Sequence, residues 1–319
     1  MILRMIRHIR ALVHQMLGLN RSNHDVIARY NPRHQFQVVD HKLKTKAALS
    51  ALQIPVVATL MVCRTQRDIA RVAEQSHAWD EFVIKPAQGA GGEGVLIVTG
   101  KSAGGFVLSN EQRMSTRELE SHLSDMLGGV FSLNQRYDEA LIERRVRVHP
   151  ALAPLSFRGL PDIRILVFRG VPIMAMLRVA TRASRGRANL HQGGLGVGID
   201  LTTGVTTSAL AGRRWITHHP DTREGLRGHT IPDWHELLMI AARCAEAVTL
   251  GYIGVDLTLD AQSGPCVLEL NARPGLLIQL VNRRGLRPLI AAVEQQSPDA
   301  LSVRERVCFG QQQYARHVG

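Results

Sequence analysis

The sequence predicts an α+β fold with antiparallel sheets, and three strand pairs carry that expectation. In Val267-Leu-Glu269-Leu-Asn271 a period of two sends Val267, Glu269 and Asn271 to one face. Val255-Asp256-Leu257 repeats the device, and a turn at Asp260-Ala-Gln-Ser-Gly264-Pro265 makes the strands neighbours, with Asp256 beside Glu269. Asp162-Ile-Arg164-Ile-Leu-Val-Phe168, the turn Arg169-Gly170 and Ile173-Met-Ala-Met-Leu-Arg178-Val179 form a second hairpin, with Asp162 and Arg164 on one face. Phe82-Val-Ile-Lys85-Pro86 and Val95-Leu-Ile-Val98 flank a glycine-rich turn and form the third.

The remaining elements follow in order. Residues 20–39 read as a connector, and Asp40-His-Lys42-Leu-Lys-Thr-Lys46 opens a helix to about Leu52. Ile54-Pro55-Val-Val starts a strand, and helices are expected near 65–75 and 115–128. A strand is expected over 139–148, and a helix over 233–250 from the stripe Trp234, Leu237, Leu238, Ile240, Ala241, Cys244, Val248. Beyond Pro288 a short helix and a polar tail close the chain, and no internal repeat is visible.

The 319 residues, 45% hydrophobic, suffice for a large core in one or two domains. There are 39 basic and 27 acidic residues, a net charge of +12. Lysine occurs only at Lys42, Lys44, Lys46, Lys85 and Lys101, so arginine is the default cation and a retained lysine stands out. Cys63, Cys244, Cys266 and Cys308 have no metal or redox spacing, which suits reduced thiols in the cytoplasm. No run approaches the ~20 apolar residues of a membrane span. Met1 to Leu19 has Ile2, Ile6, Ile9, Val13 and Met16 at helical spacing, with Arg4, Arg7 and Arg10 between them. It is expected to be a helix packed on the body of the protein; a membrane-surface helix or a targeting segment is the alternative.

Asp256, Glu269 and Asn271 are hard oxygen ligands on a largely apolar strand pair, which suits Mg2+, with Mn2+ as a substitute; a solvated strand edge is the other reading. Gln88-Gly89-Ala-Gly91-Gly92-Glu-Gly94 can bring backbone N–H groups against an anion, and Lys85 stands at its mouth. A plain flexible turn explains the glycines equally, and because the loop joins two strands it differs from a Walker or Rossmann turn. Arg182, Arg185 and Arg187 suit either a solvated loop or an acidic or phosphorylated substrate.

Taken in order, Asp40-x-Lys42 with Ile54-Pro55, Val-Ile-Lys85-Pro before the glycine hairpin, Leu-Ile-Glu143, Asp162-x-Arg164 and Asp256 … Glu269-x-Asn271 resemble the ATP-grasp superfamily. Asp162-Ile-Arg164, Asn189-Leu-His191-Gln-Gly-Gly and Asn271-Ala-Arg-Pro-Gly275 resemble the ribosomal-protein α-L-glutamate ligases and their relatives. The resemblance implies two lobes, each an antiparallel sheet with helices, binding ATP between them. It gives lobes at 39–146 and 147–319, and a helical extension at 1–38 in place of a full preceding α/β domain. It implies that Lys42 and Lys85 contact ATP phosphates under the loop containing Gln88, Gly89, Gly91, Gly92 and Gly94. Glu143 with the backbone at Arg145 and Val146 would read the adenine, and Asn189 and His191 would complete the nucleotide side. Asp256, Glu269 and Asn271 would hold Mg2+, and Arg164, Arg178 and Arg273 would face the reacting carboxylate.

The implied reaction is ADP-forming ligation of a carboxylate to an amine through an acyl phosphate, with glutamate or another amino acid as donor. The substrates would be small molecules or peptides. Two other classes are a non-catalytic ATP-binding scaffold and a basic module for nucleic acid or anionic surfaces. With 4% aromatic residues and no helix-turn-helix or zinc pattern, specific nucleic-acid binding has little support, while peripheral contact through the basic first helix stays open.

Overall fold

The computed structural model describes residues 12–89, 91–132 and 135–317. They fall into two compact units, one of 12–40, 45–56 and 148–317, the other of 41–44, 57–89, 91–132 and 135–147. Among these residues no helix is long and apolar enough to cross a membrane.

The smaller unit holds six strands: β1 (Thr59–Cys63), β2 (Phe82–Pro86), β3 (Leu96–Ser102), β4 (Gly105–Leu108), β5 (Arg113–Ser115) and β6 (Ala140–Arg144). They form one antiparallel sheet in the order β1-β6-β2-β3-β4-β5. Helix α1 (Lys42–Ala51) starts in this unit, and α2 (Gln66–Ser76) and α3 (Thr116–Leu127) belong to it. Ile69 and Val72 of α2 and Leu119, Leu123 and Met126 of α3 recur at helical spacing and join Phe82, Ile84 and Phe106 in its core. Ser115 and Glu118 form a capping box that fixes the start of α3 where the sequence places it. The strand expected at Ile54–Val57 reduces to a bridge between Val56 and Val267, and the ladder begins at Thr59. Of the strand expected over 139–148, the ladder runs over Ala140–Arg144, and Val148 makes an isolated bridge to Asp260.

The larger unit carries seven antiparallel strands: β7 (Asp162–Phe168), β8 (Val171–Val179), β9 (Leu195–Ile199), β10 (Thr206–Ala211), β11 (Arg214–Ile216), β12 (Tyr252–Asp260) and β13 (Gly264–Asn271). Their order is β11-β10-β9-β8-β7-β12-β13. Helix α4 (Trp234–Val248) packs on β7, β8 and β12, and every residue of β12 is buried. After α5 (Arg287–Gln295) comes α6 (Val303–Arg316), a helix where a polar tail was expected. Its Ser302 and Glu305 form a capping box, and Val307, Gly310 and Tyr314 are buried, Gly310 against the Pro172 backbone of β8.

Residues 19–30 are helical rather than a connector, including a π-helical stretch at Ser22–Ile27. Tertiary contacts outweigh their weak periodicity: Val26 and Ile27 are buried, and Asn31 donates to Tyr252 O and Ala272 O and accepts from Tyr252 N. The helix expected over Met1 to Leu19 lies outside the described residues as far as Ala11, and the helical conformation seen from 12 ends at 15.

Candidate functional site

In the smaller unit, β2 delivers Lys85 next to the glycine turn. Its ammonium lies 2.7 Å from the buried Glu143 carboxylate on β6. Lys42, at the start of α1, donates its backbone N–H to Ala87 O at 2.8 Å and its Nζ to Gly89 O at 2.6 Å. The two lysines and the hairpin root thus meet within one unit. Gly91, Gly92 and Gly94 have φ of 66°, 78° and 69°, which raise no steric penalty only in glycine. A Cβ on Gly94 would stand 2.5 Å from Phe131 Cγ.

Two residues that the sequence reading passed over hold this turn. Asp138, 5% exposed, accepts from Gln88 N with both carboxylate oxygens at 3.0 and 3.2 Å, and from Glu139 N at 2.8 Å. His122 on α3 lies 3.0 Å from Gly94 O through Nε2, with its ring tilted against Phe131. The available signal for Asp138 was an acid directly ahead of the strand expected from 139. None pointed to His122, whose role depends on how α3 packs. Beyond β6, Arg145 pairs with Glu81 at 2.7 Å, and among the described residues no hydrogen bond uses the Arg145 or Val146 backbone.

The larger unit assembles its acids and bases across four adjacent strands. Asp162 and Arg178 are cross-strand partners on β7 and β8, Arg164 and Asp256 on β7 and β12, and Asp256 and Glu269 on β12 and β13. Asp256 therefore meets Glu269 as the turn chemistry predicts. A bulge leaves Leu268 without a partner in the register, so strict alternation is restored only from Glu269 to Asn271.

Arg164 grips Asp256 with Nε and Nη2, at 2.7 and 2.6 Å. Arg178 bridges Asp256 and Asp162, at 2.7 and 2.5 Å. Asn271 Nδ2 donates to Asp256 at 3.1 Å and Glu269 at 3.5 Å. Burial opposes ionisation of Asp256, but the two guanidiniums outweigh it and hold its carboxyl well below the usual range. For Asp162 burial prevails and pushes the carboxyl up to about 7. Counting Asp162, Asp256 and Glu269 against Arg164 and Arg178, three acids face two bases, one negative charge in excess when all are ionised.

Arg164 and Arg178 thus serve a carboxylate of the protein itself, and Asp256 is an ion-pair partner before it can be a metal ligand. Arg273 stacks on Phe36 at 4.9 Å and pairs with Asp40 at 3.0 Å. Asn189 Oδ1 accepts from His191 N at 3.0 Å and starts the turn that ends at Gly194, while His191 is exposed. Among the described residues no group of three or more His, Cys, Asp or Glu side chains has metal-binding geometry, so a metal set here needs the Asn271 carboxamide as its third member. The donors fit a hard cation in type: the Asp256 and Glu269 carboxylates lie within 3.5 Å of the Asn271 amide nitrogen, and its carboxamide adds a further oxygen. Rotating the amide would turn Oδ1 inward.

Of solved structures, the ATP-grasp ligase PsnB in complex with its minimal precursor matches at TM-score 0.45 and 16% identity, over 84% of this chain and 64% of that one. D-cycloserine synthetase DcsG matches at 0.44 and 16%, over 89% and 72%. D-alanyl-alanine synthetase A from Vibrio cholerae matches at 0.47 and 12%, over 88% and 66%. The chain therefore spans about two thirds of the length of these structures, and slightly less for PsnB. No curated protein gives a significant match. The model of the sugar-transfer associated ATP-grasp family matches residues 21–295, a span that holds both lysines, the glycine hairpin and the acid–arginine strands, and the chain belongs to that family.

Proposed function

We propose that the protein is an ATP-dependent carboxylate–amine ligase that releases ADP. The observation that carries this reading is the cross-strand pair Asp256 and Glu269 with Asn271 one step on, an oxygen set of the kind a magnesium ion takes when it also binds substrate phosphates. In the lobes at 39–146 and 147–319, the smaller binds phosphate and the larger binds metal and substrate.

Lys42, Lys85 and the amides of Gln88, Gly89, Gly91, Gly92 and Gly94 neutralise the phosphates, and Glu143, with the Arg145 and Val146 backbone, reads the base. Asn189 and His191 belong to the nucleotide side. Glu269, Asn271 and Asp256 hold Mg2+, or Mn2+ in its place, which spreads charge from the transferring phosphoryl group. Arg164 and Arg178 keep Asp256 ionised, and together with Arg273 they orient the donor carboxylate. The carboxylate attacks the γ-phosphorus, ADP leaves, and the acceptor amine displaces phosphate from the acyl phosphate. Glutamate as donor follows the resemblance to the ribosomal-protein glutamate ligases; the substrates are a small molecule or peptide, and the site of action is the cytoplasm.

Incubation with ATP, Mg2+, hydroxylamine and a panel of amino acids and acidic peptides tests the reading. A hydroxamate and stoichiometric ADP are expected, and both should fall to background in Glu269→Gln while its circular dichroism stays that of the parent. Normal turnover by Glu269→Gln would overturn the metal assignment. Absence of hydroxamate and ADP across the panel, with ATP still bound, would favour a scaffold.

A further inference from the structure

The structure builds an arginine surface that the ligase reading leaves unused. Segment 156–160 leads into β7, and segment 180–187 leaves β8, so both spring from the strand ends that carry Asp162 and Arg178. Two Arg-Gly pairs lie back to back there. A Cβ on Gly159 would come within 2.2 Å of Gly186 O, and one on Gly186 within 3.0 Å of Arg158 O. The arginine of each pair, Arg158 and Arg185, has positive φ, 51° and 52°, a conformation that costs about 1 kcal/mol or more outside glycine.

The surrounding hydrogen bonds keep both segments in place. Ser156 Oγ accepts from Ala180 N and donates to Gly159 O, and Phe157 N donates to Ala180 O. The buried His219 also donates to Ala180 O, through Nε2, while its Nδ1 accepts from Asp221 N and Thr222 N. Thr181 and Ser184 close the loop on itself through three mutual hydrogen bonds. The Phe157 ring has the Arg158 guanidinium 5.6 Å and the Arg182 guanidinium 5.1 Å from its centroid. Arg158, Arg182, Arg185 and Arg187 are all exposed. Asp221 stands 3.9 Å from Arg182, and among the described residues no carboxylate pairs with Arg185 or Arg187.

We infer that Arg158, Arg182, Arg185 and Arg187 seat a phosphoryl group on the amine-bearing acceptor; the assignment to an acceptor rests on the ligase reading above. A carboxylate is satisfied by one guanidinium fork. Arg158 and Arg185 rise from backbone positions fixed at positive φ, and Arg158 and Arg182 share the Phe157 ring, so several forks offered on one surface match a group with three terminal oxygens and close to two negative charges.

Calorimetry on the full chain, with Mg2+ and a non-hydrolysable ATP analogue present, compares phosphoethanolamine with ethanolamine and β-alanine as probes. Phosphoethanolamine should bind best, and Arg158→Gln/Arg182→Gln/Arg185→Gln should weaken it about tenfold with analogue binding unchanged. Undiminished binding in that variant, or equal binding of β-alanine, overturns the inference. A second measurement needs no variant: inorganic phosphate should protect these four arginines of the parent protein from phenylglyoxal, and modification at the unprotected rate counts against the platform. Probe binding without ADP release in the hydroxamate assay would sink the ligase reading alone, and ADP release with no arginine protection would sink the platform alone.

Discussion

The glycine hairpin of the smaller unit and the acid–arginine cluster of the larger one both sit on antiparallel strands, yet they are shaped by opposite means. The hairpin is set by backbone: three glycines with positive φ, the Asp138 carboxylate under Gln88, and His122 at Gly94 O. Lys42 reaches the Gly89 carbonyl and Lys85 the Glu143 carboxylate. The cluster is set by side-chain charge, with Asp256 1% exposed and gripped by two arginines from neighbouring strands. A backbone-built site changes shape cheaply, whereas a buried charge network tolerates the loss of no single member.

The largest effect is therefore expected in the cluster. Asp256→Asn leaves Arg164 without its bidentate partner, and stability should fall by about 3–5 kcal/mol, read from urea midpoints. A loss below ~1 kcal/mol would mean that water reaches these guanidiniums and that the cluster is no more tightly built than the hairpin.

In the hairpin the sensitive point is conformational. Gly94→Ala places a methyl 2.5 Å from Phe131 Cγ at φ 69°, at a cost of about 1–3 kcal/mol. Combining it with Phe131→Ala separates the two causes in a double-mutant cycle. If the double variant is no more stable than the two single losses summed, the clash is irrelevant and only φ matters.

The same contrast explains what could be read from sequence. The hairpin was legible because glycine spacing encodes backbone conformation directly, and the strand pair at Asp256 and Glu269 because its turn lies within five residues. The partners of Asp256 were not, since Arg164 and Arg178 lie 92 and 78 residues away and only the order β8-β7-β12 brings them in. Strands β4, β5, β9 and β11 are short or glycine-interrupted, and β10, Thr206–Ala211, carries small and polar residues with little alternation, so none gave a clear periodic signal. Helix α6 carried a legible Ser302-x-x-Glu305 box, but its polar composition hid the stripe that packs on β8. The helix over 19–30 depends on docking of Asn31 to β12, a contact no local pattern announces.

The smallest effect is on the pH slope of stability, and it divides the cluster itself. Asp162 is raised toward 7 in the folded state, against about 3.9 unfolded. The native state therefore holds a proton there that the unfolded chain has released. Its stabilising contribution is complete below pH ~4 and is lost as pH rises to about 7, by at most ~1.4 kcal/mol per pH unit. Asp256 is depressed, so its contribution is present above its unfolded pKa and lost only in acid, below pH ~4. The two carboxyls share Arg178, yet they act in separate windows. Asp162→Asn removes the first term and leaves the second, so between pH 4 and 7 the variant should gain stability relative to the parent as pH rises. Parallel curves across that range would mean that Asp162 does not carry the extra proton of the folded state.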